Sequence, residues 1–83
     1  MEIRYFAWVR EKVGCEAEDL DVPSDIQTVA ALIKWLVSRG ENYAEAFADE
    51  EAIRVALDQE HVEHDARITP ASEIAFFPPM TGG

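Results

Sequence analysis

Apolar and polar residues alternate along several short stretches of the chain, which is the pattern of β-strands with one buried face. The strands that this pattern predicts are residues 2–8, 18–22, 53–57 and 74–77, with a short returning strand at 61–63. In the first strand, the alternation places Phe6 on the face opposite to Ile3 and Tyr5. In the last strand, Phe77 likewise lies opposite to the core-facing series. We therefore expect Phe6 and Phe77 to project from the sheet rather than into the core.

A helical period interrupts the strands between the second and the third. Its apolar stripe consists of Val29, Leu32, Ile33 and Leu36, at positions i, i+3, i+4 and i+7. Thr28 is a favourable N-cap, and Gly40 is a favourable stop. Two shorter helical segments are predicted at 9–13, ended by Gly14, and from Asn42 onward. Two strands, a crossover helix and then further strands predict an α+β domain with a mixed sheet and one main helix.

The composition narrows the classes of function. With 83 residues the chain is long enough for one domain, and a net charge of −10 argues against nucleic acid and anionic membranes as partners. A basic protein surface is a better partner, although the acids also favour solubility. No apolar run reaches transmembrane length and the first residues lack a signal-peptide pattern, so we expect a cytoplasmic protein.

Residues that carry catalysis or bind metals are scarce. The sequence has no glycine-rich phosphate loop and no Cys-x-x-Cys pair. His61 and His64 are three residues apart, a spacing that points to opposite faces of a strand, so we predict no metal site. Cys15 follows Gly14 among acidic neighbours, which favours an incidental residue over a reactive thiol. The one distinctive reactive group in the sequence is therefore its terminal carboxylate.

The end of the sequence is its most distinctive feature. Strand residues 74–77 are followed by Pro78, Pro79, Met80, Thr81, Gly82 and Gly83. The prolines end the strand and favour an extended chain, and the glycines have no Cβ to obstruct entry into a narrow site. Fully extended, residues 78–83 would reach roughly 20 Å. We therefore divide the chain into a domain at 1–77 and a flexible tail at 78–83 that presents the Gly83 carboxylate to another protein.

Three segments carry a resemblance to a known family. Residues 74–83 resemble the C-terminal signature of the small, sulfur-carrier subunits of molybdopterin synthase, and residues 5–14 and 55–59 resemble two further strand regions of that family. The resemblance implies a ubiquitin-like β-grasp fold. It also implies that a ubiquitin-activating-type adenylating enzyme uses ATP to activate Gly83, which then becomes a thiocarboxylate. The small subunit binds no cofactor of its own.

The resemblance also implies a partner and a set of contacts. The tail enters the large synthase subunit, where sulfur is transferred to cyclic pyranopterin monophosphate. By position, Phe6 and Phe77 correspond to apolar residues that face the partner, and Arg10 to a nearby polar contact. His61 stands where relatives often carry an apolar contact residue, which implies an altered contact or a co-adapted partner. The runner-up functions are sulfur carriage for thiamine, cysteine or tRNA thiolation, and protein modification of the ubiquitin type.

Overall fold

Five strands and three α-helices make up residues 1–79, the part of the chain that the computed structural model describes. The strands are β1 (Glu2–Tyr5), β2 (Ala17–Asp19), β3 (Arg54–Leu57), β4 (Glu60–Val62) and β5 (Glu73–Phe77). The helices are α1 (Ala7–Val13), α2 (Val29–Val37) and α3 (Glu41–Ala46). A short 3-10 helix, Glu50–Ala52, precedes β3 and was not expected from the sequence pattern.

The strands form one mixed sheet in the order β2-β1-β5-β3-β4. Strand β5 occupies the centre, parallel to β1 and antiparallel to β3. The two ends of the sheet are closed by the antiparallel pairs β1–β2 and β3–β4. Helix α2 connects β2 to β3, on opposite sides of the centre. The predicted α+β class, mixed sheet and crossover helix are therefore confirmed.

The core lies between one face of the sheet and the helices. All four residues of the predicted α2 stripe are buried. They meet alternate residues of the three inner strands, which are Ile3, Tyr5, Val55, Leu57, Ile74 and Phe76. The intervening strand residues point away from the helices and form what we call the open face of the sheet. Thr28 begins α2 as predicted, because its side chain accepts a hydrogen bond from the Ala31 amide at 3.2 Å.

The first strand is shorter than its alternation predicted. It ends at Tyr5, and α1 takes up Ala7 and the residues that follow. Ala7 has a φ of 52°, in the left-handed region, and this reversal separates the strand from the helix. Helix formation wins because Val9 and Val13, at i and i+4, are both buried. Gly14 ends the helix at a φ of 96°, as the sequence predicted.

The bounds of three further elements also differ slightly from the prediction. Strand β2 covers 17–19 rather than 18–22, and Leu20 and Val22 pack against the core from the following loop. Helix α3 begins one residue before Asn42, whose side-chain amide instead donates to the Val13 carbonyl at 2.7 Å. The turn between β3 and β4 lies at residues 58–59 rather than 59–60.

Candidate functional site

The tail leaves the domain from the middle of the sheet. Because β5 is the central strand, its last residue, Phe77, has a neighbouring strand on each side. Pro78 and Pro79 follow outside the strand and are half-buried. Since proline has no amide hydrogen, neither residue donates to a neighbouring strand. The chain therefore leaves the sheet at the end of its central strand, between the end of β1 and the beginning of β3.

On the β1 side of this exit lies Phe6. It is the one large hydrophobic residue among those described that is exposed, with 43% of its surface accessible. Its amide donates to the Phe76 carbonyl at 3.1 Å, so its backbone is fixed beside the end of β5. Its own carbonyl accepts from the Arg10 amide at 3.3 Å, in the first turn of α1. An exposed aromatic residue is thus held on rigid backbone next to the tail.

On the β3 side of the exit, His61 stacks on Phe77. Their ring centroids are 5.3 Å apart and the rings are inclined by 26°. Strand β3 lies between the two residues, and it presents only the small side chain of Ala56 directly opposite His61. Arg54 lies directly opposite Phe77 in the β3–β5 register and is exposed.

Phe6 and Arg10 lie on the β1 side of the tail exit, at the start of α1, and Arg54, His61 and Phe77 lie on the open face of the sheet. We call these five residues the tail-base surface. Four of them were singled out from the sequence, and their role in partner binding stays a prediction. Arg54 was missed. The sequence could have indicated it, because Arg54 lies between the buried residues Ile53 and Val55 of an alternating strand. This position places Arg54 on the sheet face opposite to the core, as it does Phe77.

The reactive part of the predicted tail, Met80, Thr81, Gly82 and Gly83, lies outside the residues that the structure describes. The roles assigned to these four residues therefore remain predictions from the sequence. The division of the chain into a domain at 1–77 and a tail at 78–83 also remains a prediction.

A second polar cluster lies inside the domain, away from the tail. Glu18 accepts hydrogen bonds from the hydroxyls of Tyr5, at 2.8 Å, and Tyr43, at 2.6 Å. Burial and the Glu18 carboxylate raise the pKa of both tyrosines above its ordinary value, and Arg39 partly opposes this for Tyr43. Both phenols therefore stay protonated and bind Glu18, which ties β1, β2 and α3 together.

Neither the cysteine nor the histidines form a reactive site. Burial and the nearby Glu18 raise the pKa of the Cys15 thiol, which opposes formation of a nucleophilic thiolate. The His64 ring is hydrogen-bonded to the Ile53 carbonyl at 2.9 Å, whereas His61 lies on the open face. Within residues 1–79, no three His, Cys, Asp or Glu side chains are grouped as a metal site. No helix in that part of the chain is long and apolar enough to cross a membrane.

Comparison with known proteins defines the class of protein. A model of the ThiS family matches residues 3–83, and the chain belongs to that family. Its relatives include the molybdopterin synthase sulfur carrier subunit of Escherichia coli, 37% identical over 83 residues that cover 100% of this chain and 99% of the relative. The protein of the same name from Dictyostelium discoideum is 32% identical over 84 residues, covering 99% and 94% of the two chains.

Solved structures support the fold. Small archaeal modifier protein 1 of Haloferax volcanii superposes with a TM-score of 0.75 at 27% identity, covering 96% of this chain and 97% of the other. A putative molybdopterin converting factor subunit 1 from Pyrococcus furiosus, at 24% identity, gives a TM-score of 0.73 over 95% of each chain. The ubiquitin-like β-grasp fold that the resemblance implied is therefore confirmed.

Proposed function

We propose that this protein is the sulfur carrier of molybdenum cofactor biosynthesis, acting as the small subunit of molybdopterin synthase. The observation that carries the proposal is the full-length match to sulfur carrier subunits of that enzyme in organisms as distant as Escherichia coli and Dictyostelium discoideum. The match includes the Gly82-Gly83 end, so the reacting group belongs to the matched region. The site of action is the cytoplasm.

The chemistry takes place on the Gly83 carboxylate. A free carboxylate is a poor electrophile, and the adenylating enzyme converts it to an acyl-adenylate with release of pyrophosphate from ATP. A sulfur nucleophile then displaces AMP and leaves a thiocarboxylate. In the large subunit the thiocarboxylate gives its sulfur to cyclic pyranopterin monophosphate. The protein is thus a co-substrate, and the acid-base groups of the reaction belong to the large subunit.

The domain contributes presentation and docking. The central position of β5 fixes the base of the tail, and the exposed ring of Phe6 offers an apolar contact beside it. Aromatic side chains that become fully buried at an interface contribute strongly to affinity. In this proposal Phe6, Arg10, His61 and Phe77 contact the large subunit, and residues 78–83 extend from them into its active site.

The test of this proposal is the mass of the intact protein. After incubation with the adenylating enzyme, ATP and a sulfur donor, the wild type gains the difference between one sulfur and one oxygen atom. A chain lacking Gly83 does not gain it, and Gly82→Ala gains it slowly because its Cβ obstructs the approach. Addition of the large subunit and cyclic pyranopterin monophosphate then returns the wild type to its original mass. A chain lacking Gly83 that still supports molybdopterin formation contradicts the proposal.

A second candidate function is protein modification, in which Gly83 forms an amide bond with lysines of other proteins. The observation that favours it is the similarity to small archaeal modifier protein 1. Proteolysis of proteins from the native host separates the two functions. After cleavage by trypsin, a modifier leaves residues 68–83 of this chain joined through Gly83 to target lysines, because Arg67 is its last basic residue. A dedicated sulfur carrier leaves a thiocarboxylate and no such branched peptides.

A further inference from the structure

Three side chains of different strands meet on one part of the open face. Arg54 of β3 lies opposite Phe77 of β5, and the His61 ring of β4 reaches over β3 to stack on Phe77. Directly opposite residues on one face of a sheet have Cβ atoms about 5 Å apart, so Arg54 is placed beside Phe77. Ala56 and Ala75 face each other at the next pair of positions on the same face, and both have small side chains.

The charge of Arg54 is not neutralised within the described part of the chain. Arg54 forms no ion pair among residues 1–79, whose ion pairs involve Arg4 and the N-terminus alone. Glu51 and Glu63 line the groove of about 180 Å³ that Arg54 also borders, but neither is paired with it. A guanidinium offers five donors in a planar fork that matches a carboxylate.

Arg4 provides an internal comparison. It lies on the same face two strands away, and its side chain is 3.1 Å from Glu73 and 3.3 Å from Glu2. The contact of its Nε atom with Glu73 lacks hydrogen-bond geometry, so this pair is ionic rather than directional. Arg4 is therefore held between two carboxylates, whereas Arg54 forms no ion pair among residues 1–79.

The charge of the rest of the molecule makes Arg54 a selective contact. The chain has 17 acidic and 7 basic residues, so most of its surface repels a carboxylate. An acidic group on a partner meets a favourable site beside Phe77 and unfavourable ones on most other surfaces. Such an arrangement fixes the orientation of a complex by repulsion as well as by attraction.

We propose that Arg54, together with the His61–Phe77 stack, binds an acidic segment of the large subunit. A carboxylate of that segment is held by the Arg54 guanidinium, and an apolar neighbour packs on the stacked rings of His61 and Phe77. The inference rests on the proposed function, since it takes the large subunit as the partner. It adds to that function a residue that sets partner specificity and the chemistry that the partner must present.

The experiment measures the affinity of the full-length chain for the large subunit of the same organism by calorimetry at low and high salt. Arg54→Gln and Arg4→Gln each change the net charge by the same one unit, so a general electrostatic effect is equal in both. We expect Arg54→Gln to weaken binding about tenfold at low salt and to reduce its salt dependence, because a charge-assisted hydrogen bond is lost. Arg54→Glu weakens binding further, and Arg4→Gln stays within about twofold of the wild type.

Thermal unfolding of each variant establishes that the domain is intact. Arg54→Met, which keeps an unbranched apolar stem, is a second neutral variant and gives the same loss as Arg54→Gln. Equal affinities and salt slopes for the Arg54→Gln and Arg4→Gln variants overturn the inference and leave the proposed function standing. A wild type that does not bind the large subunit overturns the proposed function, and the inference with it.

Discussion

The imidazole of His61 stacks on the ring of Phe77 across an intervening strand, with 5.3 Å between the ring centroids. The contact is possible because Ala56, on the strand between them, is small enough to lie beneath the two rings. The resemblance to sulfur carrier subunits led us to expect an apolar residue at position 61. The stacking shows how histidine fills that place, since its ring face packs on Phe77 while its nitrogens remain available to solvent or to a partner.

Truncation of Phe6 or Phe77, the two aromatic residues beside the tail exit, tests the docking surface. We predict that Phe6→Ala and Phe77→Ala each weaken binding to the large subunit by about 2 kcal/mol, because an aromatic anchor at an interface is lost. Phe6→Ala is expected to change the free energy of unfolding by less than about 1 kcal/mol, since 43% of the residue is already accessible to water and it lies outside the core. Calorimetry and thermal unfolding measure the two quantities.

Lys34→Ala is the matched control, because Lys34 is exposed on α2, which packs on the other face of the sheet. It is expected to leave the affinity unchanged. If Phe6→Ala binds as tightly as Lys34→Ala, Phe6 is not part of the interface. If Phe77→Ala unfolds the domain, its ring belongs to the folded core rather than to the docking surface.

Alkaline pH is predicted to destabilise the domain through Tyr5 and Tyr43. The pKa of each phenol is raised in the folded state, first by burial and then by Glu18. The unfolded chain therefore loses these protons at lower pH than the folded chain does. Stability is fully present below the ordinary tyrosine pKa of 10.0 and falls as the pH rises above it, by up to about 1.4 kcal/mol per pH unit for each such group.

Denaturant titrations between neutral pH and strongly alkaline pH measure this slope. The background is Cys15→Ala, because the pKa of this thiol is also raised and would contribute. Tyr5→Phe is expected to be less stable at neutral pH, since Glu18 loses a donor, but to show a shallower decline above the tyrosine pKa. An identical slope for Tyr5→Phe and its parent would mean that Tyr5 does not titrate on unfolding.

The turn between β3 and β4 offers a stabilising substitution. Asp58 and Gln59 have φ values of 47° and 71°, so both lie in the left-handed region that glycine adopts most easily. Asp-Gly is a preferred pair for a two-residue hairpin turn of this kind. We predict that Gln59→Gly raises the free energy of unfolding by up to about 1 kcal/mol. Gln59→Val should lower it, because a β-branched residue is strained at positive φ.

The acidic surface is predicted to accelerate association with the adenylating enzyme. With a net charge of −10, the chain is attracted to a basic partner. At 0.1 M salt this attraction is largely screened when the charges are more than about 10 Å apart. The association rate should therefore fall as salt increases, in stopped-flow measurements with ATP present. A rate that is independent of salt would mean that the charge serves solubility alone.

The elements with a strong local signal were predicted correctly from the sequence. Helix α2 has a complete apolar stripe and a capping Thr28, so its position depended on neighbours within a few turns. The predicted stop at Gly40 was wrong, because α2 ends at Val37 with Ser38 as its C-cap and Gly40 is the N-cap of α3. The central strand β5 was located for the same reason, because it alternates and is followed by two prolines. Exposure of Phe6 was also anticipated, although the structure reaches it through a helix N-cap rather than a strand position.

The side-chain contacts that the sequence did not predict join residues far apart in the chain, and they depend on the order of the strands in the sheet. The Asn42 side chain binds a carbonyl 29 positions away, so a local capping pattern predicted the wrong role for it. Arg54 stood in a predicted strand, but its neighbours Phe77 and His61 became apparent only when β3 was found between β4 and β5. The contrast with Arg4 likewise depends on carboxylates of two different strands.

The central place of β5 also has a mechanical consequence. Withdrawal of the tail from a partner's channel pulls on Phe77 along the axis of the strand. The load is then shared by the hydrogen bonds to β1 and to β3, which are strained together in shear instead of opening one after another. A tail attached to an edge strand would instead begin to peel that strand away. In the proposed function, this arrangement lets the tail move from one protein to the next while the domain stays folded.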